Sequence, residues 1–305
     1  MADVDTLVVA AQPEAGAEVP APSGTMHVRV LSAGPASVLE RDDRVAVEGP
    51  LEYLLQHPTL GHEPVSFGTT MRTPGDDEHL AVGLLYGEGI VNRRDDIVAV
   101  ESSTRRPNVV NVRLRAGVRF ELPPLARRFS AGSSCGVCGT TGLDAAIAKA
   151  AATRIAPSGS IELSTLLGLP DIMRRRQVRF GDTGGSHAAA LFDAAGNLQE
   201  LAEDVGRHNA LDKLIGKALM DGALPLADRI VVLSGRASFE LVQKALRAGV
   251  PVLAAIGAPS SLAVNLARAS GLTLVGFLRT TGCNVYSNPQ RLAPRDAGST
   301  KASIL

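Results

Sequence analysis

Two cysteines three residues apart sit in the run Ser130-Ala131-Gly132-Ser133-Ser134-Cys135-Gly136-Val137-Cys138-Gly139-Thr140-Thr141-Gly142. Four glycines around two thiols make a flexible loop that other atoms can approach closely. A helical pattern begins near Leu143, and the amide-rich start of a helix lowers a nearby thiol pKa from about 8.5 towards neutrality, favouring the reactive thiolate. Arg127 and Arg128, just upstream, act in the same sense. Four chemistries use such a pair. A structural zinc needs four ligands, and one CxxC supplies two, with the third thiol, Cys283, far off in sequence. Thioredoxin-like dithiols follow a strand in a βαβ unit, whereas this loop follows a turn-rich stretch. A zinc deaminase needs H-x-E upstream of P-C-x-x-C, but Ser134 replaces the proline and His62-Glu63 has the wrong spacing. The fourth chemistry is a nucleophilic or sulfur-carrying thiolate with a second thiol close by. The CxxC pair alone does not choose among them.

Other constellations lie downstream. Phe180-Gly181-Asp182-Thr183-Gly184-Gly185-Ser186-His187 joins two strand-like runs and reads as a tight Gly-Gly hairpin. Glu203-Asp204-Val205-Gly206-Arg207-His208-Asn209 opens a long helical pattern with Asp204 as N-cap. Arg207 and His208 place cations in a first turn, against the helix dipole, and call for an anion or a partner carboxylate. Ser234-Gly235-Arg236-Ala237-Ser238 and Pro259-Ser260-Ser261 each follow an apolar strand and open a helix, and Phe277-Leu278-Arg279-Thr280-Thr281-Gly282 leaves the last strand. Loops at the carboxyl ends of strands in open α/β sheets are where phosphate-bearing ligands bind, with Arg236 supplying charge here. Plain N-capping by Ser238 and Ser260 explains those serines equally well.

The elements that position these residues fall into two halves. Residues 25–130 predict a β-rich N-terminal domain, with short β-branched or alternating runs at 26–31, 44–48, 65–71 and 109–115. One helix interrupts them, from the start signal Thr73-Pro74-Gly75-Asp76, through Leu80, Leu84 and Leu85, to Gly87 and Gly89. The cysteine loop spans 131–142. Residues 143–288 predict an α/β domain, with helices at 143–152, 206–220, 239–248 and 261–269 and strands at 178–180, 188–192, 230–233, 252–256 and 272–277. Continuous apolar strands alternating with amphipathic helices imply a parallel or mixed sheet covered on both faces. Residues 1–24, acidic and without a base, read as a disordered tail, and 289–305 as a polar C-terminal tail.

Composition narrows the classes. A chain of 305 residues with 45% hydrophobic content can bury a proper core. With 31 basic and 31 acidic residues it lacks the footprint of a nucleic-acid or anionic-membrane binder. No Trp, three Tyr and seven Phe leave little for base stacking. No secretory signal and no membrane-length apolar run is present, and three cysteines fit a reducing compartment, so a soluble cytoplasmic protein is expected.

Together these segments resemble the FdhD/NarQ family, the sulfurtransferase accessory proteins for formate dehydrogenase. The resemblance runs from about Val47 to Tyr286. It rests on Met71-Arg72-Thr73-Pro74-Gly75-Asp76-Asp77, Glu88-Gly89-Ile90, the CxxC segment, Thr183-Gly184-Gly185-Ser186-His187, the 203–213 segment, Ser234-Gly235-Arg236 and Leu274-Val275-Gly276-Phe277-Leu278-Arg279. It implies a cytidine-deaminase-like fold for the C-terminal domain, without deaminase chemistry. It implies that Cys135 accepts sulfur from a cysteine desulfurase as a persulfide, with Cys138 assisting or relaying. That sulfur goes to the molybdenum of bis(molybdopterin guanine dinucleotide), bound as substrate, before the cofactor enters apo-formate dehydrogenase. Phe277, Leu278, Arg279, Thr280, Thr281 and Gly282 match the family's cofactor-binding segment, and the cofactor's phosphates would give Arg207, Arg236 and Arg279 a ligand. No permanently bound metal is expected, and a homodimer is. The rival reading is a non-catalytic chaperone that binds the molybdenum cofactor and its apoenzyme.

Overall fold

The computed structural model describes residues 24–35, 37–120, 153–155 and 159–293. Among the described residues the first strands, β1 (Thr25–Gly34) and β2 (Ser37–Ala46), pair only with each other. Next come β3 (Gly49–Gln56), β4 (Val65–Arg72), β5 (Ile97–Ser102) and β6 (Val109–Leu114), in the sheet order β4-β3-β6-β5 with β3 and β6 parallel. Leu51, Tyr53 and Leu55 of β3 are buried at every second position, as one covered sheet face requires. That cover is α1 (Asp77–Gly87), the helix between β4 and β5.

The second half begins with β7 (Ile161–Glu162), α2 (Leu163–Arg176) and α3 (Val178–Thr183). Then follow β8 (His187–Asp193), β9 (Leu198–Asp204), α4 (Arg207–Met220), β10 (Arg229–Leu233), α5 (Phe239–Arg247), β11 (Val252–Ala255), α6 (Ser261–Ser270), β12 (Thr273–Arg279) and β13 (Gly282–Val285). A six-stranded mixed sheet has the order β13-β12-β11-β10-β8-β9, with β10, β11 and β12 parallel and β8 and β13 reversed. Its strands are apolar at consecutive positions because both faces are covered. Ile230, Val232, Val252, Ala254 and Val275 pack on Leu166, Leu169 and Met173 of α2. Val231, Leu233, Leu253, Ala255 and Leu274 belong to a larger cluster that runs through α4, α5, α6 and α1 to Leu51, Tyr53 and Leu55. One apolar core therefore joins the two sheets, with the α1–α4 pair at its centre.

That helix pair is packed backbone to backbone. A Cβ added at Gly83 of α1 would fall 1.9 Å from the Asp212 carbonyl oxygen, and one at Gly216 of α4 would fall 1.9 Å from that of His79. Glycine at both positions is thus a condition of the close approach.

Three segments differ from their sequence reading. The run 178–180 reads as a strand but forms the first turn of α3, because the buried Glu203 carboxylate accepts the Arg179 and Phe180 N–H groups and satisfies the helix start. Gly184 ends that helix in the left-handed conformation (φ 66°), so Gly184-Gly185 is a helix stop rather than a hairpin turn. Residues 289–293, read as the beginning of a loose tail, instead end in β14 (Leu292–Ala293), which pairs with β7, while the buried Arg291 guanidinium donates to the Gly271 carbonyl.

Replacing Gly216 by Ala is expected to cost about 1–3 kcal/mol or more, because backbone on the facing helix must move. Gly168→Ala, inside α2 where an added Cβ meets nothing within 4 Å, is expected to be neutral or to stabilise by up to about 1 kcal/mol. Chemical denaturation of both variants checks the contrast, and equal stabilities would refute the helix-crossing account.

Candidate functional site

The carboxyl ends of β9, β10, β11 and β12 and the start of β8 lie along one edge of the large sheet. The loops leaving β10, β11 and β12 are laced together beyond the strands. Gly257 N–H donates to the Gly235 carbonyl at 2.9 Å, Phe277 N–H to the Gly257 carbonyl at 3.1 Å, and Ala237 N–H to the Ala258 carbonyl at 3.2 Å. An added Cβ at Gly257 would sit 3.0 Å from the Gly235 oxygen, so this lacing also depends on glycine. Phe277 has φ 51°, a costly conformation for an aromatic residue, and the register shifts between Gly276 and Arg279. The ring is left 45% exposed at the edge.

The start of α4 is anchored by a buried ion pair. Asp204, the last residue of β9, and Lys213, on the second turn of α4, are fully buried with Nζ and Oδ2 2.8 Å apart. Asp204 also accepts from the N–H groups of Thr73 (3.1 Å) and Gly206 (2.8 Å) and from the Asn209 amide (2.9 Å). Lys213 donates to the Thr73 carbonyl at 2.9 Å, and Val205 N–H donates to the Thr73 hydroxyl at 3.1 Å. Asp204 is therefore not the N-cap of α4. Gly206 is, and the Asp204 carboxylate is spent on a partner cation and three N–H donors. A second buried carboxylate, Asp212, is pushed above the ordinary aspartate range by burial and held back by Lys244, whose Nζ lies 2.5 and 2.6 Å from its oxygens.

The two first-turn cations of α4 have different fates. His208 finds a carboxylate, with Nε2 2.9 Å from Glu240 on α5 and 3.2 Å from the Ser238 hydroxyl. Ser238 occupies the N-cap position of α5 but makes no side-chain cap bond, whereas Ser260 caps α6 by accepting from Ala263 N–H at 3.3 Å. Arg207 makes no ion pair among the described residues, and its buried Nε has no hydrogen-bond partner there. It lies beside Gly235 and close enough to His187 to depress that imidazole, after burial itself, below the ordinary histidine range. His187 Nδ1 is 3.5 Å from the Ser234 hydroxyl.

The sequence-predicted residues separate accordingly. Arg207, Arg236, Phe277, Arg279, Thr280, Thr281 and Gly282 all fall on this edge, with Arg236, Arg279, Thr280 and Thr281 exposed. Arg279 caps the ends of two strands, donating to the Ile256 and Leu278 carbonyls at 2.6 and 2.8 Å. Leu278 is fully buried in the α2-facing cluster, so its side chain serves the core. Cys135 and Cys138 lie outside the described residues. The third thiol, Cys283 on β13, is part-buried against the α2-facing cluster, and burial pushes its pKa up, away from reactivity. His187 and Ser234 joined the edge without being singled out for it. The signal was present, since both stand where a strand meets a Gly-containing loop.

The family model described as FdhD/NarQ matches residues 57–293. The chain belongs to the FdhD/NarQ family. Curated relatives cover it almost throughout. One named "Sulfur carrier protein FdhD" from Streptomyces avermitilis is 46% identical over 283 residues, 90% of this chain and 98% of that protein. Proteins of the same name from Mycobacterium tuberculosis and Sulfurisphaera tokodaii are 45% and 41% identical, covering 88% and 87% of this chain and 98% of each relative. A crystal structure from Desulfotalea psychrophila, described as that of a formate dehydrogenase accessory protein, superimposes with a TM-score of 0.69 at 23% identity, covering 88% of this chain and 99% of that one. At that identity it is a likeness of fold. Among the described residues no helix is long and apolar enough to cross a membrane.

Two measurements test this family member's edge. Lys213→Met leaves the buried Asp204 carboxylate without its cation and is expected to cost about 3–5 kcal/mol in a denaturation curve; a loss under about 1 kcal/mol would show that the pair is not structural. For His187, burial and Arg207 disfavour the imidazolium, so the unfolded chain takes that proton at higher pH than the folded one. The stability His187 contributes is then complete above the ordinary value of about 6.5 and falls as the pH drops through it. Arg207→Leu is expected to raise the His187 midpoint in an NMR titration, and an unmoved midpoint would separate the two side chains.

Proposed function

We propose that this chain is a sulfur carrier for the molybdenum cofactor of formate dehydrogenase. In this reading the Cys135 thiolate attacks the terminal sulfur of a cysteine desulfurase persulfide. The donor's S–S bond breaks, its thiolate leaves, and a new S–S bond forms on Cys135. The sulfur is then delivered to the molybdenum of bis(molybdopterin guanine dinucleotide), the substrate held at the sheet edge, which passes to apo-formate dehydrogenase. Cys138 serves by either of two routes. It attacks the inner sulfur of the Cys135 persulfide, releasing sulfide and leaving a disulfide that carries away the two-electron difference, or it receives the terminal sulfur as a second carrier.

The observation that carries the reading is the CxxC pair in a chain whose relatives, 41–46% identical over nearly their whole length, are named sulfur carriers. A formate dehydrogenase partner is supported by the description of the similar solved structure. The edge is suited to the substrate. Arg236 and Arg279 are exposed there, Arg207 keeps a buried N–H with no partner among the described residues, and Phe277 offers an aromatic face. Phosphates and a heteroaromatic base need those groups. The same reading includes a cytidine-deaminase-like C-terminal domain, supported by the mixed six-stranded sheet with helices on both faces. It places the exchange in the cytoplasm, where thiols stay reduced.

Intact-protein mass spectrometry after incubation with a cysteine desulfurase and cysteine tests it. Wild type is expected to gain sulfur mass that a reductant removes, and Cys135→Ala to gain none at that position. Cys138→Ala separates the two routes: loading persists, but sulfide release is lost only if Cys138 resolves the persulfide. Wild type that gains no sulfur while still binding the cofactor would favour the chaperone.

A further inference from the structure

The corner where α2 meets α3 is strongly basic. Arg174, Arg175 and Arg176 end α2, all three are exposed, and none makes an ion pair among the described residues. Cations in a last turn complement the helix dipole, but three in a row exceed what that requires. The carboxylates nearby are few or already committed. Asp182 of α3 pairs with Arg44 at 3.3 Å, and the buried Glu203 accepts from the Arg179 and Phe180 N–H groups and the Ser186 hydroxyl. Asp171, one turn back on α2, is a single exposed acid against three arginines. Arg174 is steadied by the Phe180 ring, its guanidinium carbon 4.1 Å from the ring centroid.

The described chain begins at this same corner. Gly24 is buried, and its carbonyl accepts from Val47 N–H at 2.8 Å. A Cβ added to it would fall 2.9 Å from Nε of Arg179, so Gly24 rests against the guanidinium of a residue three positions after Arg176. Three residues of chain span at most about 11 Å, which brings the junction with residues 1–23 next to the last turn of α2. Those residues carry Asp3, Asp5, Glu14 and Glu18 and no Lys, Arg or His. An extended spacer of about 3.1 Å per residue through Pro20 and Pro22 gives Glu18 a reach of about 19 Å from Gly24, and Glu14 about 31 Å.

We propose that the acidic segment ahead of Gly24 docks in cis on this corner, with Glu14 and Glu18 against Arg174, Arg175 and Arg176. Its charge is opposite, and its point of attachment is fixed beside the arginines. A short tether presents the carboxylates at about millimolar effective concentration, which a separate acidic protein has to match. Each pair is at the surface and worth little, so the contact is an equilibrium that salt shifts. Docked, the segment screens the corner, and another anion gains the arginines only by displacing it. The inference does not rest on the sulfur reading, since sulfur loading of Cys135 and docking of the segment are measured separately.

The chain has no tryptophan, so Ala17→Trp places a single fluorescent reporter beside Glu18. Time-resolved fluorescence anisotropy on this full chain tests the proposal. The indole is expected to tumble with the whole particle at about 20 mM salt and on its own at about 0.5 M. Arg174→Gln, Arg175→Gln and Arg176→Gln together are expected to lower the docking constant about tenfold at low salt, with an unchanged circular dichroism spectrum. Glu14→Lys with Glu18→Lys is expected to free the indole as well. Adding Arg174→Glu, Arg175→Glu and Arg176→Glu to that pair is expected to restore docking, a rescue that misfolding does not give. An indole that tumbles on its own at low salt would leave the corner to a separate acidic partner. That result, a triple glutamine variant that docks as its parent does, or a charge-swapped chain that stays free would each overturn the proposal.

Discussion

The ion pair between Asp204 and Lys213 is the constraint on which the arrangement of the molecule turns. Two charges taken out of water cost several kcal/mol each, and only a complete set of partners repays that. Here the set comes from three distant segments: the Thr73 backbone ahead of α1, the end of β9, and the first turns of α4. None of the three can move without stranding a charge. The pair therefore fixes α1 against α4 at the start of both helices, while Gly83 and Gly216 let the helices close further along. A mainly apolar interface would tolerate sliding; a buried pair with directed hydrogen bonds specifies one register.

That register also sets the candidate edge. Asp204 is turned inward, and Arg207 at the start of α4 makes no ion pair among the described residues. His208 is paired with Glu240, and Lys244 with Asp212. Among the described residues, positive charge without an ion-pair partner therefore stands at Arg207, beside Gly235 and the imidazole it depresses, and at the exposed Arg236 and Arg279 on neighbouring loops. An edge so laced by backbone bonds holds those charges in place before any anion arrives, which lowers the ordering cost of binding one.

The alternation from α4 to β12 was legible because consecutive apolar strands and 3.6-residue periodicity are strong local signals that agree with the tertiary environment. The helix α1 was legible for the same reason, with turn residues at both ends. What escaped was set at long range. Val178-Arg179-Phe180 has strand-like composition, and only Glu203, more than twenty residues away, makes a helix start there. Asp204 stands where an N-cap belongs, and its diversion to Lys213 and Thr73 depends on a contact with the other half of the molecule. β9 hides behind Gln199 and Glu200 because it is the outermost strand of its sheet, with less apolar demand. In the candidate site, the arginines stand out through charge and loop position. His187 passed as part of a turn although it stands where a strand meets a Gly-containing loop, because its neighbours Ser234 and Arg207 come from distant segments.

A carrier that hands sulfur from one protein to a bound cofactor faces two opposed requirements. The acceptor must be held still, and the sulfur must reach two places. In the proposed reading the chain divides these requirements between its parts. The edge is made of strand ends, glycine-dependent loop contacts and helix starts anchored by buried charge, all suited to a fixed acceptor. Cys135 and Cys138, the thiols that the proposed reading asks to travel, stand among four glycines in the sequence between the two halves. Cys283 shows why the division matters. It is on the edge strand, yet its burial against the core raises its pKa and fixes its place. A thiol so placed is a poor nucleophile with one address, which is why the proposed reading assigns the transfer to the glycine-flanked pair.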